Sequence, residues 1–272
     1  MNSQDDFRAR VQALVAEGKL TAAEAETLLA APSAGVQRTA EVPEQQAPRR
    51  LRIAMQGASV QVYADSGLTT PQVTAEGEGR IELLAGPDGW TLRRERESEG
   101  WLNRLTQGLF RESLKIELRI PEDFRDVSID LAGGNVRLHD LNARVQGKVS
   151  GGNLHLGQVS ALNVNVTGGN LQATATLEEG EHSVKLTGGN ATLSVPNAAS
   201  VRLNAQVVGG SLRTHGFAVK RRDTSPATAT YEGYTQGNIR LNVSITGGNA
   251  TLTGAGVSAS SEEHDGKGEV SA

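Results

Sequence analysis

Cysteine is absent from the 272 residues. Its absence excludes a disulfide framework, a thiolate metal site and a cysteine nucleophile, and leaves the redox compartment unread. Aromatic residues are nearly as scarce, at 3%. A thick globule of this length fills its centre with bulky rings, so the shortage points to a thin architecture cored by Val, Leu, Ile and Ala. No charge of one sign dominates: 27 Lys and Arg stand against 31 Asp and Glu, for a net charge of -4. The signs are interleaved, so no nucleic-acid partner is expected. No run approaches the roughly 18 apolar residues of a membrane-spanning helix. The opening MNSQDD is acidic and lacks the basic start and apolar run of a secretory signal. Together these absences set the expectation of a cytoplasmic protein, with membrane contact limited to a peripheral one at the inner face.

What is plentiful is glycine, at 32 residues, and it is patterned. One phrase recurs as Gly133-Gly134-Asn135, Gly151-Gly152-Asn153, Gly168-Gly169-Asn170, Gly188-Gly189-Asn190, the variant Gly209-Gly210-Ser211, and Gly247-Gly248-Asn249, in steps of 18, 17, 20, 21 and 38 residues. A period near 20 is solenoid spacing, and the last step is about two periods. The heptad TGGNATL at 187–193 returns letter for letter at 246–252.

Apolar residues alternate on both sides of each phrase, as with Ile129 and Leu131 before and Val136 and Leu138 after. Period two means strands with one buried face. From Leu131 to Val136 is five positions, an odd step that would turn the second strand inside out in a continuous run. The glycine pair resets the pleat by bending through conformations closed to other residues, and Asn tolerates left-handed geometry while offering an amide to the next coil. The fold class expected is all-β: a parallel β-helix, or β-solenoid, with coils of 17–21 residues over 51–254. The stretches 51–63, 73–84 and 90–94 read as degenerate or hairpin-like strands that start the stack. Residues 217–237 read as a loop out of one coil, and Gln236-Gly237-Asn238 as a decayed corner.

Three further segments flank or interrupt this unit. Residues 1–30 predict a two-helix hairpin, with Phe7, Val11, Leu14 and Val15 on one stripe and Leu28 and Leu29 on another. Helices this short expose much of their apolar face, which suits a partner; docking on the chain's own solenoid is the alternative. Residues 31–50 and 255–272 read as a flexible linker and a disordered tail. Within 99–110, Trp101, Leu102, Leu105, Leu109 and Phe110 fall at helical spacing. They fit either a cap over the open end of the solenoid or a peripheral membrane contact.

The string LKIELRIPEDFRDVSIDLAGGNVRL at 114–138 resembles the signature of the bacterial adhesin β-strand repeat family, also called the toastrack domain. The resemblance covers roughly 51–254. EGKLTAAEAETLL at 17–29 is similar to the SHOCT-like helical hairpin often joined to that domain. The resemblance implies a bacterial envelope-stress or membrane-integrity role, beside a membrane-associated stress-response protein, without catalysis. It supplies no catalytic, cofactor or metal position.

The residues agree that chemistry is not to be expected. A glycosidase or lyase on a β-helix needs clustered carboxylates and a base, yet Asp140 is the sole acid between Leu131 and Leu177. His139, His155, His182, His215 and His264 lack metal-ligand spacing, and His139 and His155 are expected as stacked surface residues. The expectation is a non-enzymatic scaffold that needs no cofactor and self-associates through its solenoid ends, because the last repeat is as regular as an interior one. A glycan-binding surface adhesin and a bactofilin-like polymerising protein are the alternatives.

Overall fold

The computed structural model describes residues 12–17, 21, 35–77, 79–94, 114–221, 228–233 and 237–254. Its repeating unit is two strands joined at a glycine corner. The first such unit in the regular stack is β8 (Asp126–Ala132) and β9 (Asn135–His139), on either side of Gly133-Gly134. β10 (Ala143–Ser150) leads to the next corner. β11 (Asn153–Thr167) serves two coils, with a register shift between Leu156 and Gln158. β12 (Asn170–Ala175), β13 (Gly180–Thr187) and β14 (Asn190–Val195) continue the stack.

Strands before the corner pair in parallel with one another, and so do strands after it. Leu131, Val149, Val166 and Leu186 therefore form one buried column, and Val136, Leu154, Leu171 and Ala191 another. Each fully buried Val or Leu contributes about 1.5–3 kcal/mol against its exposed state. The core is thus a line of aliphatic side chains, which is why so few rings suffice.

Spatial order departs from chain order at both ends. β15 (Val201–Val208) and β16 (Ser211–His215) follow β14 in the chain but do not stack on it. The last coil, β19 (Ile239–Thr246) and β20 (Asn249–Gly254), lies between them: β19 pairs with β13 on one edge and β15 on the other, and β20 with β14 and β16. At the opposite end, β2 (Arg50–Gln56) and β3 (Ser59–Ala64) lie between β8–β9 and an outer coil of β6 (Gly89–Arg94) and β7 (Lys115–Ile120).

The ends are partly covered by strands running the other way. β5 (Arg80–Gly86) lies antiparallel on β6, and β4 (Gln72–Glu76) antiparallel on β7. At the far end β18 (Thr228–Gly233) lies antiparallel on β15, with β17 (Val219–Arg221) on β18. Phe217, Val219 and Tyr231 pack against the core there. Reversal replaces the parallel edge on which another coil would template.

Three expectations need correction. The linker 31–50 is structured from 35 onward: β1 (Gly35–Ala40) pairs in parallel with β5, and Glu44–Gln46 form a 3-10 turn. The side chains of Val36 to Ala40 stay exposed, so the strand is held by backbone hydrogen bonds that leave no apolar pattern. Arg38 adds an ion pair to Glu44 at 3.0 Å and sits 6.0 Å over the Trp90 ring. The second correction concerns the repeat at 246–252, which is interior, so its regularity says nothing about the solenoid ends. Third, 217–221 and 228–233 do not simply loop out but supply the end strands. Of the hairpin, only 12–16 are described as helical, with Leu14 and Val15 half-buried; Phe7, Val11, Leu28 and Leu29 lie outside the described residues, as does the tail 255–272.

Candidate functional site

The corner stack is the one feature repeated through the described molecule, and its two glycines do different work. The first adopts positive φ: +66 at Gly57, +70 at Gly133, +69 at Gly151, +67 at Gly168, +68 at Gly188, +61 at Gly209 and +66 at Gly247. Around Gly151 a Cβ would meet nothing within 4 Å, so conformation alone demands glycine there. Its N–H donates to the neighbouring coil, as from Gly151 to the Thr167 carbonyl at 2.8 Å and Gly168 to that of Thr187 at 2.9 Å.

The second glycine is demanded by proximity, to which Gly134 and Gly189 add positive φ of their own, +81 and +80. A Cβ on Gly169 would collide with the Gly152 carbonyl oxygen, on Gly189 with that of Gly169, and on Gly210 with that of Gly248. Those oxygens are already acceptors: Asn170 N–H donates to Gly152 at 3.0 Å, and Asn190 N–H to Gly169 at 3.2 Å. The ladder of backbone bonds therefore passes through the place where a side chain would begin.

Beside it runs a ladder of side-chain amides. Nδ2 of Asn153 donates to Oδ1 of Asn135 at 2.7 Å, Asn170 to Asn153 at 2.8 Å, Asn190 to Asn170 at 3.2 Å and Asn249 to Asn190 at 3.4 Å; the Ser211 hydroxyl donates to Asn249 at 2.7 Å. Five bonds thus join six coils. Gly57-Ala58-Ser59 is the same corner in degenerate form, since Ser59 registers with Asn135 and the Ala58 carbonyl accepts from Asn135 N–H at 2.8 Å. The alternation in 51–63 is the signal that could have identified it. Replacing Asn170 by Ala is expected to cost about 1 kcal/mol in urea denaturation, because two hydrogen bonds are lost at an exposed position where water re-solvates the partners. Asn170→Ser, which imitates Ser211, recovers part of that loss.

The histidines are dispersed. His182 sits 2% exposed in a core position of β13, opposite Leu241. Its Nδ1 accepts from the Leu162 N–H at 3.4 Å and its Nε2–H donates to the Glu178 carbonyl at 2.9 Å, a tautomer assigned from these partners. His182→Leu keeps the volume but strands both backbone groups, an expected loss of about 1–3 kcal/mol by the same denaturation measurement. His139 lies flat on Tyr63, with centroids 4.2 Å apart and planes 9° from parallel. Burial and then the nearby Arg137 charge hold its pKa below the ordinary histidine value. His155 does not stack on His139: it registers with Arg137, two positions before His139, and faces Gln172 at 3.1 Å.

Acidic side chains are spread along the surface in ion pairs, among them Arg50–Asp126 at 3.5 Å, Arg144–Glu178 at 3.4 Å and Arg93–Glu82 at 2.6 Å. Asp140, with φ of +45, accepts the Gln158 N–H at 3.2 Å and so shapes a turn. Among the described residues no group of three or more His, Cys, Asp or Glu could hold a metal ion, and no helix is long and apolar enough to cross a membrane. Trp101, Leu102, Leu105, Leu109 and Phe110 lie outside the described residues. In the chain their segment lies between β6 and β7.

No curated protein matches the chain in sequence. Among solved structures, a proposed cell adhesion protein from Clostridium sporogenes is similar at 11% identity and a TM-score of 0.40, over 79% of this chain and 97% of that one. A proposed adhesin from Bacteroides fragilis is similar at 10% identity and a TM-score of 0.29, over 78% and 94%. The family described as Toastrack DUF4097 matches residues 125–253, the span that holds the glycine corners from Gly133 to Gly248. Over residues 125–253 this chain is similar to the toastrack domain.

Proposed function

We propose that the chain is a non-enzymatic bacterial scaffold: a rigid toastrack platform in an envelope-stress or membrane-integrity response, acting at the inner face of the membrane. In this reading the N-terminal segment, through Phe7, Val11, Leu14, Val15, Leu28 and Leu29, engages a membrane-associated stress-response protein. The observation that carries the scaffold reading is the unbroken ladder from Asn135 to Ser211, which ties successive coils into one stiff body. The spread of ion-paired acids, with His155 and His182 each held in its own setting, supports a surface built for contact rather than for acid–base work.

The test is survival of cells lacking the gene under a membrane-permeabilising peptide. Survival is expected to fall, and to recover with the full chain but not with its Leu28→Ser, Leu29→Ser variant. Unchanged survival of the deletion strain would overturn the envelope role, and full rescue by the variant would overturn the hairpin's part in it.

A further inference from the structure

The coil β19–β20 fills a slot between two coils that precede it in the chain, and each flank accepts it residue for residue. Val184 on one side and Ala205 on the other oppose Val243; Leu186 and Val207 oppose Ile245; Asn190 and Ser211 oppose Asn249. Because both flanks share one register against the inserted coil, they share it with each other. If β19–β20 withdraws, β15–β16 can close onto β13–β14 with aliphatic faces matched and the corners Gly188-Gly189 and Gly209-Gly210 in line. The opened state then loses one coil of burial but keeps a stack, and the cost of opening is correspondingly lower.

Three observations bear on which occupant the slot takes. β18, which precedes β19 in the chain, pairs with the edge of β15 opposite the one that β19 takes. The amide ladder is longest where the coil meets β14, at 3.4 Å between Asn249 and Asn190. The slot recognises the sequence TGGNATL, which every copy of the chain carries at 246–252 beside a second TGGNATL at 187–193.

We infer that residues 237–254 are an exchangeable coil, and that two copies of this chain dimerise by each inserting β19–β20 into the other's slot. The contacts in the exchanged form are those of the closed monomer, including Asn242 Nδ2 to Glu181 Oε1 at 2.7 Å, so exchange changes connectivity at little cost in contact energy. The dimer presents two platforms on one body. Its interface is the interior of the solenoid, so it does not depend on an exposed patch at the ends.

The absence of native cysteine makes a clean test. Lys185 and Ser244 are exposed register partners on β13 and β19, and parallel neighbours lie within disulfide reach. Full-length Lys185→Cys and Ser244→Cys chains with different affinity tags are mixed at high concentration, warmed below the main unfolding transition, cooled and oxidised. A control mixture uses Ser128→Cys and Gln146→Cys, exposed partners on β8 and β10 that are consecutive coils. Exchange predicts a disulfide-linked heterodimer severalfold above the control, and its loss when Lys185→Cys and Ser244→Cys are first joined within one chain. A heterodimer yield equal to the control overturns the inference.

Discussion

Replacing Gly169 by alanine lowers the stability of the coil stack by about 3 kcal/mol, whereas replacing Gly151 by alanine lowers it by about 1–2 kcal/mol. The two expected values rest on different physics. Gly151 sits at φ +69 with open space where its Cβ would lie, so alanine meets only the intrinsic penalty of left-handed backbone, about 1–2 kcal/mol. Gly151→Asn costs still less, since Asn visits that region readily. The Cβ of alanine at 169 instead meets the Gly152 carbonyl oxygen, which is already bonded by Asn170 N–H at 3.0 Å. Backbone on both sides is fixed in the ladder, so relief requires adjacent coils to separate, at the upper end of overpacking costs, about 3 kcal/mol. Urea midpoints at unchanged m-value measure both. Equal losses at 151 and 169 would contradict the division of roles within the corner.

The second large effect concerns Ile245. In chain order it belongs to the last coil, whose side chains would be covered on one side only and whose truncation would be mild. In the structure Ile245 is 0% exposed, between Leu186 of β13 and Val207 of β15. Ile245→Ala is therefore expected to cost about 2–5 kcal/mol, the full price of a core cavity. Leu212, on the real terminal strand β16 and only half-buried, should cost about 1 kcal/mol on the same change. The reverse ranking would place the terminal coil where the chain order puts it and contradict the insertion.

The contrast marks what was legible in the sequence. Corner glycines, inward-facing residues and the Asn ladder were readable because each depends on neighbours one coil away, and alternation plus the repeated phrase records that relation directly. The order of the coils was not readable, for the same reason. A phrase such as TGGNATL suits a neighbour carrying the same phrase, and nothing in it names which copy lies above. The step of 38 residues between Gly209 and Gly247 signalled an excursion, but not that the chain returns beneath the coil it has just left. β1 escaped notice because an edge strand held mainly through its backbone leaves no apolar periodicity. His182 reads as a polar residue breaking a strand, and only its two backbone partners explain its place in the core. As for the candidate site, the sequence supplied the repeated corner.

Disulfide trapping in dilute, full-length protein tests the central claim, that β20 lies between β14 and β16. Thr192 and Thr251 are register partners 59 positions apart in the chain, while Thr192 and Arg213 are neighbours in coil order along the sequence, 21 positions apart. In the stack the second pair is two strand spacings apart, about 10 Å, beyond disulfide reach. The account predicts rapid intrachain oxidation of a Thr192→Cys, Thr251→Cys chain and far slower oxidation of a Thr192→Cys, Arg213→Cys chain, which must first open. Oxidation of the second chain, with the first remaining reduced, would contradict it.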